Sequence, residues 1–293
     1  MGLEANRFGL TLSSVPIGTQ PAAAQGTDVT PGNLSYPTFL QIPVMNGANT
    51  ATSDDSCEVE IGINTVGIAA TARDCLVRIG WDPAGGTSYG VAARTSIDHL
   101  LASCASGYMG AAGGVGPGVV YRFPLRIPAG STVAAQAMVN SATLTAINVY
   151  VKLRCRPSRP HLLYVGSFVD PYGITLGSAA GTAITPGTGS RSAYVSLGAL
   201  TQTYGFFELG LGCNDATMAN VGYEVDVAIG DGSNKDIIIE SAAFTATNAE
   251  TLTKQTGNGR HALAGTASTL FVRAQASTTP DSNISAAVYA VGG

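Results

Sequence analysis

The sequence predicts an all-β protein: two tandem antiparallel β-sandwiches of jelly-roll type with an extended N-terminal arm. Three observations carry this prediction. Apolar and polar residues alternate along many short segments, turn-forming residues bound these segments, and motifs of the first half recur in the second. Period-two alternation is typical of half-buried strands, and frequent turn signals favour a sandwich or a barrel.

The recurrence is clearest in two heptads, GTDVTPG at residues 26–32 and GTAITPG at residues 181–187. Further pairs keep the same order: FGLTLS with YGITLG, VEIGIN with FELGLG, VRIGWD with VAIGDG, STVAAQA with STLFVRAQA, and NVYV with AVYAV. The spacing between partners falls from 164 to 137–139 residues, as expected if the first copy holds longer loops. We therefore expect a tandem duplication, with the arm and first sandwich at residues 1–160 and a duplicate sandwich at residues 161–293.

The N-terminal arm is predicted around residues 13–37, where four prolines and almost no charge oppose regular structure. A loop of this length is uncommon within a compact domain, so we expect the arm to lie along a neighbouring subunit. Further on, YRFPLRIPAG alternates between apolar and polar residues. Its prolines, Pro124 and Pro128, predict an edge strand because proline donates no ladder hydrogen bond.

Three other segments carry distinct predictions. RTSIDHLLASC at residues 94–104 favours a short helix with Ser96 as its N-cap, because Ile97, Leu100 and Leu101 share a helical face. TATNAETLTKQT at residues 245–256 is a weaker helical counterpart. KDIIIESAAF predicts a strand that is buried on both sides.

Charged residues make up 12% of the chain and the net charge is −4, against a usual charged share of roughly 25%. So few charges are typical of a chain that buries much of its surface in contacts with partner proteins. The charge provides no electrostatic footprint for nucleic acid. The first ten residues lack the apolar core of a signal peptide, and no segment is typical of a membrane span. We expect neither nucleic acid nor membrane as a partner.

The cysteines predict thiols or disulfides rather than a metal site, because none forms a CxxC pair. Buried thiols are one interpretation. One or two disulfides are the other, including a link between chains because the number is odd, and Cys75 and Cys155 adjoin strands that could meet. The five positions are Cys57, Cys75, Cys104, Cys155 and Cys213.

Catalytic signatures are scarce. The three histidines have no metal-ligand spacing, and no carboxylate pair suited to glycoside hydrolysis stands out. The glycine-rich segment 107–118 is not followed by the helix of a phosphate cradle. DGSNKD predicts a hairpin turn rather than a calcium loop. We expect no enzyme activity, no cofactor and no metal.

Two groups of residues are candidate contacts. Arg154, Arg156 and Arg159 lie at the join between the halves, either as a solvated linker or as a docking site for an acidic partner surface. Trp81 and Tyr89 either pack in the core or form a platform for a glycan.

The duplicated sandwich pattern, the low charge and the polar arm resemble structural virion proteins of tailed bacteriophages. Capsid decoration, neck or collar, head-spike-base and tail proteins are of this type. The resemblance implies a virion protein assembled in the host cytoplasm and bound to capsid, neck or tail proteins. It also implies a homo-oligomer, either a trimer with pseudo-sixfold modules or a hexamer. The alternative is a host-glycan receptor-binding module of a phage spike or fibre.

Overall fold

The computed structural model describes residues 14–17, 27–42, 55–65, 74–89, 96–103, 119–139, 147–154, 165–178, 180–213, 221–231, 233–246, 252–254, 260–279 and 283–293. Within these ranges the chain forms β-strands and a single 3-10 turn at Leu176–Ser178.

The strands of the first half are β1 (Ser14–Ile17), β2 (Thr27–Val29), β3 (Gly32–Asn33), β4 (Leu40–Gln41), β5 (Glu58–Thr65), β6 (Asp74–Asp82), β7 (Ser96–Ser103), β8 (Val119–Phe123), β9 (Thr132–Val139) and β10 (Ile147–Arg154). The strands of the second half are β11 (Phe168–Tyr172), β12 (Thr182–Ile184), β13 (Gly187–Thr188), β14 (Val195–Ala199), β15 (Tyr204–Cys213), β16 (Val221–Gly230), β17 (Lys235–Ala246), β18 (Leu252–Lys254), β19 (Arg260–Ala264), β20 (Thr269–Ala276) and β21 (Ile284–Gly292).

These strands form three sheets, which are mainly antiparallel, so the all-β sandwich prediction is confirmed. The first outer sheet has the order β1-β10-β5-β8, with β2 also on β10. The central sheet has the order β19-β15-β21-β11-β7-β6-β9-β3, with β12 on β21 and β4 on β9. The second outer sheet has the order β13-β20-β16-β17-β18, with β14 on β20.

Two apolar cores share the central sheet as their common wall. Strand β21 is buried along its whole length, so its alternating side chains enter both cores. Val288 belongs to the second core, whereas Tyr289 enters the first. There its ring meets Tyr121 and Phe123 edge-on, with centroids 5.5 and 6.0 Å away. The last strand of the chain therefore completes the core of the first half.

Alternation in the YRFPLRIPAG segment sets a buried face against a solvated one, as the sequence predicts. Tyr121, Phe123 and Leu125 are fully buried, whereas Arg122 and Arg126 lie on the exposed side. Strand β8 ends just before Pro124 and is an edge strand of the first outer sheet, which confirms the edge prediction.

The second half repeats the strand-pairing order of the first. Strands β2 and β12 lie antiparallel to β10 and β21, and strands β3 and β13 lie parallel to β9 and β20. The TPG of each heptad therefore carries the chain from one sheet to the facing sheet. A Cβ on Gly32 or Gly187 would collide with the carbonyl oxygen of Ser35 or Ser190, so each crossing requires glycine. The common origin of the halves and their boundary stay predictions.

The pairing register also aligns β1 with β11. Strand β1 pairs with β10 and strand β11 with β21, and each is followed by a short strand that resumes the same ladder. By this register, Ser14 is equivalent to Val169, and Pro16 is equivalent to Pro171. This register differs from the FGLTLS–YGITLG pairing, whose first member lies outside the described residues.

The described part of the arm packs on its own chain, and its contact with a neighbouring subunit stays a prediction. Strands β1 to β4 pair with β10 and β9, and Val29 and Ile42 are buried. Between them the chain is fixed on the central sheet, because the Gln136 amide donates to the Pro37 carbonyl at 2.6 Å. Tyr36 lies under the Arg78 guanidinium, 4.6 Å from its ring centroid.

Three local predictions are wrong. Ser96–Ser103 is strand β7 rather than a helix, so Ser96 is no N-cap. Strand β7 lies between β6 and β11, whose ladders outweigh the local helical spacing. In the second candidate helix, Leu252–Lys254 is strand β18. Strand β17 is not buried on both sides, because Ile237 is 41% exposed.

Candidate interaction surfaces

Trp81 and Tyr89 are buried, as the core-packing interpretation of these two rings requires. Trp81 is 3% exposed and Tyr89 is 7% exposed. Alternation along β6 sends Trp81 into the first core beside Ile79. The Tyr89 ring lies against Phe39, with centroids 5.4 Å apart. Neither ring offers a face on which a sugar could stack.

Cys75 is buried in the first core. The two interpretations of the cysteines, buried thiols or disulfides, stay predictions. Cys57 is partly buried, and its Sγ donates to the Arg154 carbonyl at 3.2 Å. Cys104 and Cys155 lie outside the described residues, and Cys213 is described only as the last residue of β15.

An ion network covers the exposed side of the first outer sheet. Glu60 accepts from Arg122 Nε at 2.9 Å and from an Arg154 terminal nitrogen at 3.0 Å. Arg154 Nε also lies 3.3 Å from Glu58 Oε1, so this arginine is engaged within its own chain. Arg156 and Arg159, the other arginines of the predicted docking site, lie outside the described residues.

Tyr150 joins this network through its hydroxyl, which donates to Glu60 Oε1 at 3.3 Å. The ring crosses the neighbouring strand at Gly62, where a Cβ would collide with it. Burial and the adjacent Glu60 carboxylate raise the pKa of Tyr150. The hydroxyl therefore stays a donor.

A second network lies on the exposed side of the second outer sheet and centres on Asp226, which is 1% exposed. Its Oδ2 accepts from Arg191 Nε at 2.9 Å and Arg273 Nε at 2.8 Å, and its Oδ1 accepts from the Ser241 N–H at 2.8 Å. Ser241 has a φ of 48° beside a bulge in β17, which turns its N–H toward the carboxylate. Arg191 also pairs with Glu224 at 2.8 Å.

The Asp226 carboxylate is held ionised by these partners. Burial works against its charged form, yet the Ser241 N–H and the guanidiniums of Arg273 and Arg191 lower its pKa below the usual 3.8. Its Oδ2 therefore holds two arginines of the same chain together on the sheet.

Two aromatic rings extend the second network toward solvent. Tyr194 and Phe271 meet edge-on with centroids 6.3 Å apart. The Arg273 guanidinium lies 4.6 Å from the Tyr194 centroid, and Lys235 Nζ lies 4.8 Å from the Phe271 centroid. A cation of the same chain therefore lies over each ring.

A shallow cleft of about 360 Å³ opens at one end of the second sandwich. Asp231, Asn234 and Asp236 contribute polar groups to its wall. Asp231 Oδ1 accepts the N–H groups of Ser233 and Asn234 at 3.0 and 2.9 Å, and these bonds lower its pKa. The carboxylate closes the hairpin turn that DGSNKD predicts.

The sequence did not identify Glu60, Asp226 and Arg191 as central residues of the two ion networks. The available signal was a charge on the polar face of two apolar strands, EVEIGIN and YEVDVAIG. Their arginine partners lie far along the chain, so only the folded sheets bring them together. In the described part of the chain no three potential metal ligands come together. The same residues include no helix long and apolar enough to span a bilayer.

No family model and no curated protein matches the sequence. Among solved structures, PNGF-II is similar over 96% of this chain, with 9% identity and a TM-score of 0.38. The chain spans 65% of that structure's length, just under two thirds. The infectious bursal disease virus Gx strain structure matches at 10% identity and TM-score 0.25, covering 96% of this chain and 72% of that one. The Macrobrachium rosenbergii nodavirus structure matches at 11% and 0.23, covering 96% of both chains. At these values the likeness adds no argument about function.

Proposed function

We propose that this protein is a non-enzymatic structural component of a virion of the tailed-bacteriophage type. It is assembled in the host cytoplasm and decorates or clamps the capsid surface, neck or tail as a homo-oligomer. The proposal follows from the sequence resemblance and from how the fold uses its few charges.

The supporting observation is that the central charges are committed within the chain. Glu60 and Asp226 each bind two arginines of their own chain. Because only 12% of residues are charged, much of the remaining surface consists of small uncharged side chains. The cores of protein interfaces are depleted in charge in the same way. Such a surface suits contact with other proteins better than isolation in solvent.

The shared central sheet supports a rigid two-module role. Strand β21 fills both cores, so the halves cannot separate without exposing Tyr289 and its neighbours. We infer that the halves descend from one copied module, because their strands pair in the same order. Two fixed modules in one chain can occupy two similar places on a particle, and three chains then offer six.

The glycan-binding alternative is weakened by the burial of Trp81 and Tyr89. Stacking on a sugar requires an accessible ring face. The partly exposed rings of Tyr194 and Phe271 already have Arg273 and Lys235 lying over them. The structural role needs no rearrangement of these side chains.

The test is sedimentation with particles. Purified particles from the source of the sequence should carry the chain through a density gradient in fixed stoichiometry. Particles stripped of it should bind the recombinant chain again, whereas particles of an unrelated virus should not. A chain that stays monomeric by light scattering and remains at the top of the gradient overturns the proposal.

A further inference from the structure

We propose that the contact between the two halves of one chain is the template for the contact between chains. The open edge of β17 in one copy receives β1 of the next copy, in parallel, with Ile239 beside Ser14. This inference rests on the proposed assembly function and names the surface through which assembly proceeds.

The template is the junction between β7 and β11. These strands lie parallel, with Val169 opposite Ile97, and they merge the sheets of both halves into the ten-stranded central sheet. The junction is heterologous, because an edge of the first half receives a different edge of the second. A heterologous contact can be repeated by further modules.

Strand β17 is the second-half counterpart of β7. In the first half Ile79 lies opposite Ile97, and in the second half Val227 lies opposite Ile239. Both hairpins shift register just before these pairs, after the equivalent residues Val77 and Val225. Ile239 therefore occupies the position at which the first half receives its neighbouring strand.

Strand β1 is the first-half counterpart of β11. Each pairs antiparallel with the last strand of its own half, Ser14 opposite Arg154 and Val169 opposite Val291. Each also carries a proline two residues later, Pro16 or Pro171. Ser14 therefore occupies the position that lies beside β7 in the internal junction.

Both edges are open in the part of the chain that the structure describes. Strand β18 covers β17 only along Phe244–Ala246, and β1 has β10 as its one partner strand there. The open stretch of β17 exposes Ile237. An open edge with an exposed β-branched apolar residue favours addition of another strand.

The external contact differs from the internal one in charge. Phe206, Tyr289 and Val291 enter the first core in the internal junction. The pairing registers set Glu58, Lys152 and Arg154 at the equivalent positions of the first half. The contact between chains is therefore more polar and more salt-sensitive than the contact within a chain.

Cross-linking tests the register directly. Neighbouring strands bring paired Cα atoms within the range that a disulfide bridges, about 4.4–6.8 Å. A Ser14→Cys, Ile239→Cys variant should form dimers and larger species on non-reducing gels under mild oxidation, with fewer at high salt. Each single variant controls for the native cysteines and should stay at the monomer position. An Ile97→Cys, Val169→Cys variant should form a disulfide within one chain and still migrate at the monomer position.

The outcomes separate this inference from the proposed function. Peptide mass spectrometry that finds residue 14 linked to residue 239 between chains supports it. Oligomers on particles or in solution that never yield this link overturn the inference and leave the structural role standing. A link within one chain also overturns it. A chain that neither oligomerises nor binds particles overturns both.

Discussion

Leu34 and Gly189 occupy the same position in the two halves, and both have left-handed backbones, with φ values of 51° and 71°. Each lies two residues after the glycine of the repeated heptad. Glycine adopts this conformation freely, whereas leucine is strained there. The Leu34 side chain is also 48% exposed, so little core packing offsets the strain.

Replacing Leu34 with glycine should raise the free energy of unfolding by up to about 1 kcal/mol, because relief of strain exceeds the added flexibility of the unfolded chain. Urea titration followed by circular dichroism measures the change. Leu40→Gly is the matched control. Leu40 is also exposed but lies in β4 without a positive φ, and its variant should be destabilised. A destabilised Leu34→Gly would contradict the strain argument.

The two crossing glycines should be intolerant of a methyl group. Gly32→Ala and Gly187→Ala would each press a Cβ onto a backbone carbonyl, and we expect each to cost about 2 kcal/mol or more. Gly177→Ala is the control, since its Cβ would meet nothing within 4 Å. Thermal melting should show a clear loss for the first two variants and a change near zero for the third. Equal effects at all three positions would refute the steric explanation.

Removing the charge of Asp226 should destabilise the second sandwich. Asp226→Asn leaves Arg191 and Arg273 facing a neutral amide, at a cost of about 3 kcal/mol. Its pKa is lower when folded than when unfolded. Its stabilisation is therefore complete above the unfolded-state pKa and is lost as the pH falls through the folded-state pKa.

Stability measured between pH 2 and pH 7 checks this dependence. Asp226→Asn should be least different from the natural chain at the acid end. Glu240→Gln, at an exposed position on β17, should leave the profile unchanged. A loss of stability that is the same at every pH would show that charge is not the cause.

The single tryptophan should report burial of the first core. We expect blue-shifted Trp81 fluorescence that acrylamide quenches weakly in the folded chain, with a red shift on unfolding. Trp81→Ala should cost about 3–5 kcal/mol, because it removes a buried aromatic side chain. Tyr89→Phe, which keeps the ring, is the milder comparison. Strong quenching in the folded state would contradict the buried placement.

The sequence was sufficient for the strands whose alternation faces one core. Cys75, Val77, Ile79 and Trp81 are buried as their spacing predicts. The sequence also showed that the heptad recurs, but it did not explain why. That reason is tertiary, because the glycine of each heptad lies where the chain crosses between facing sheets.

Predictions from local sequence periodicity were wrong where pairing with neighbouring strands decided the structure. The helical spacing of residues 94–104 was overridden by ladders to β6 and β11, which satisfy the backbone of β7. The three isoleucines of β17 suggested burial on both sides, yet no sheet covers Ile237 in the described structure. Periodicity reports which residues share a face, but not what lies opposite that face.

By itself, the sequence determined the all-β class, the alternation of each strand and the scarcity of charge, because these depend on side chains close together in the chain. Only the tertiary structure decided that β21 serves both cores, that Trp81 is inaccessible, and that Glu60 and Asp226 each meet two arginines. These relationships join residues far apart in sequence. Their geometry follows from sheet register and packing, which no local pattern specifies.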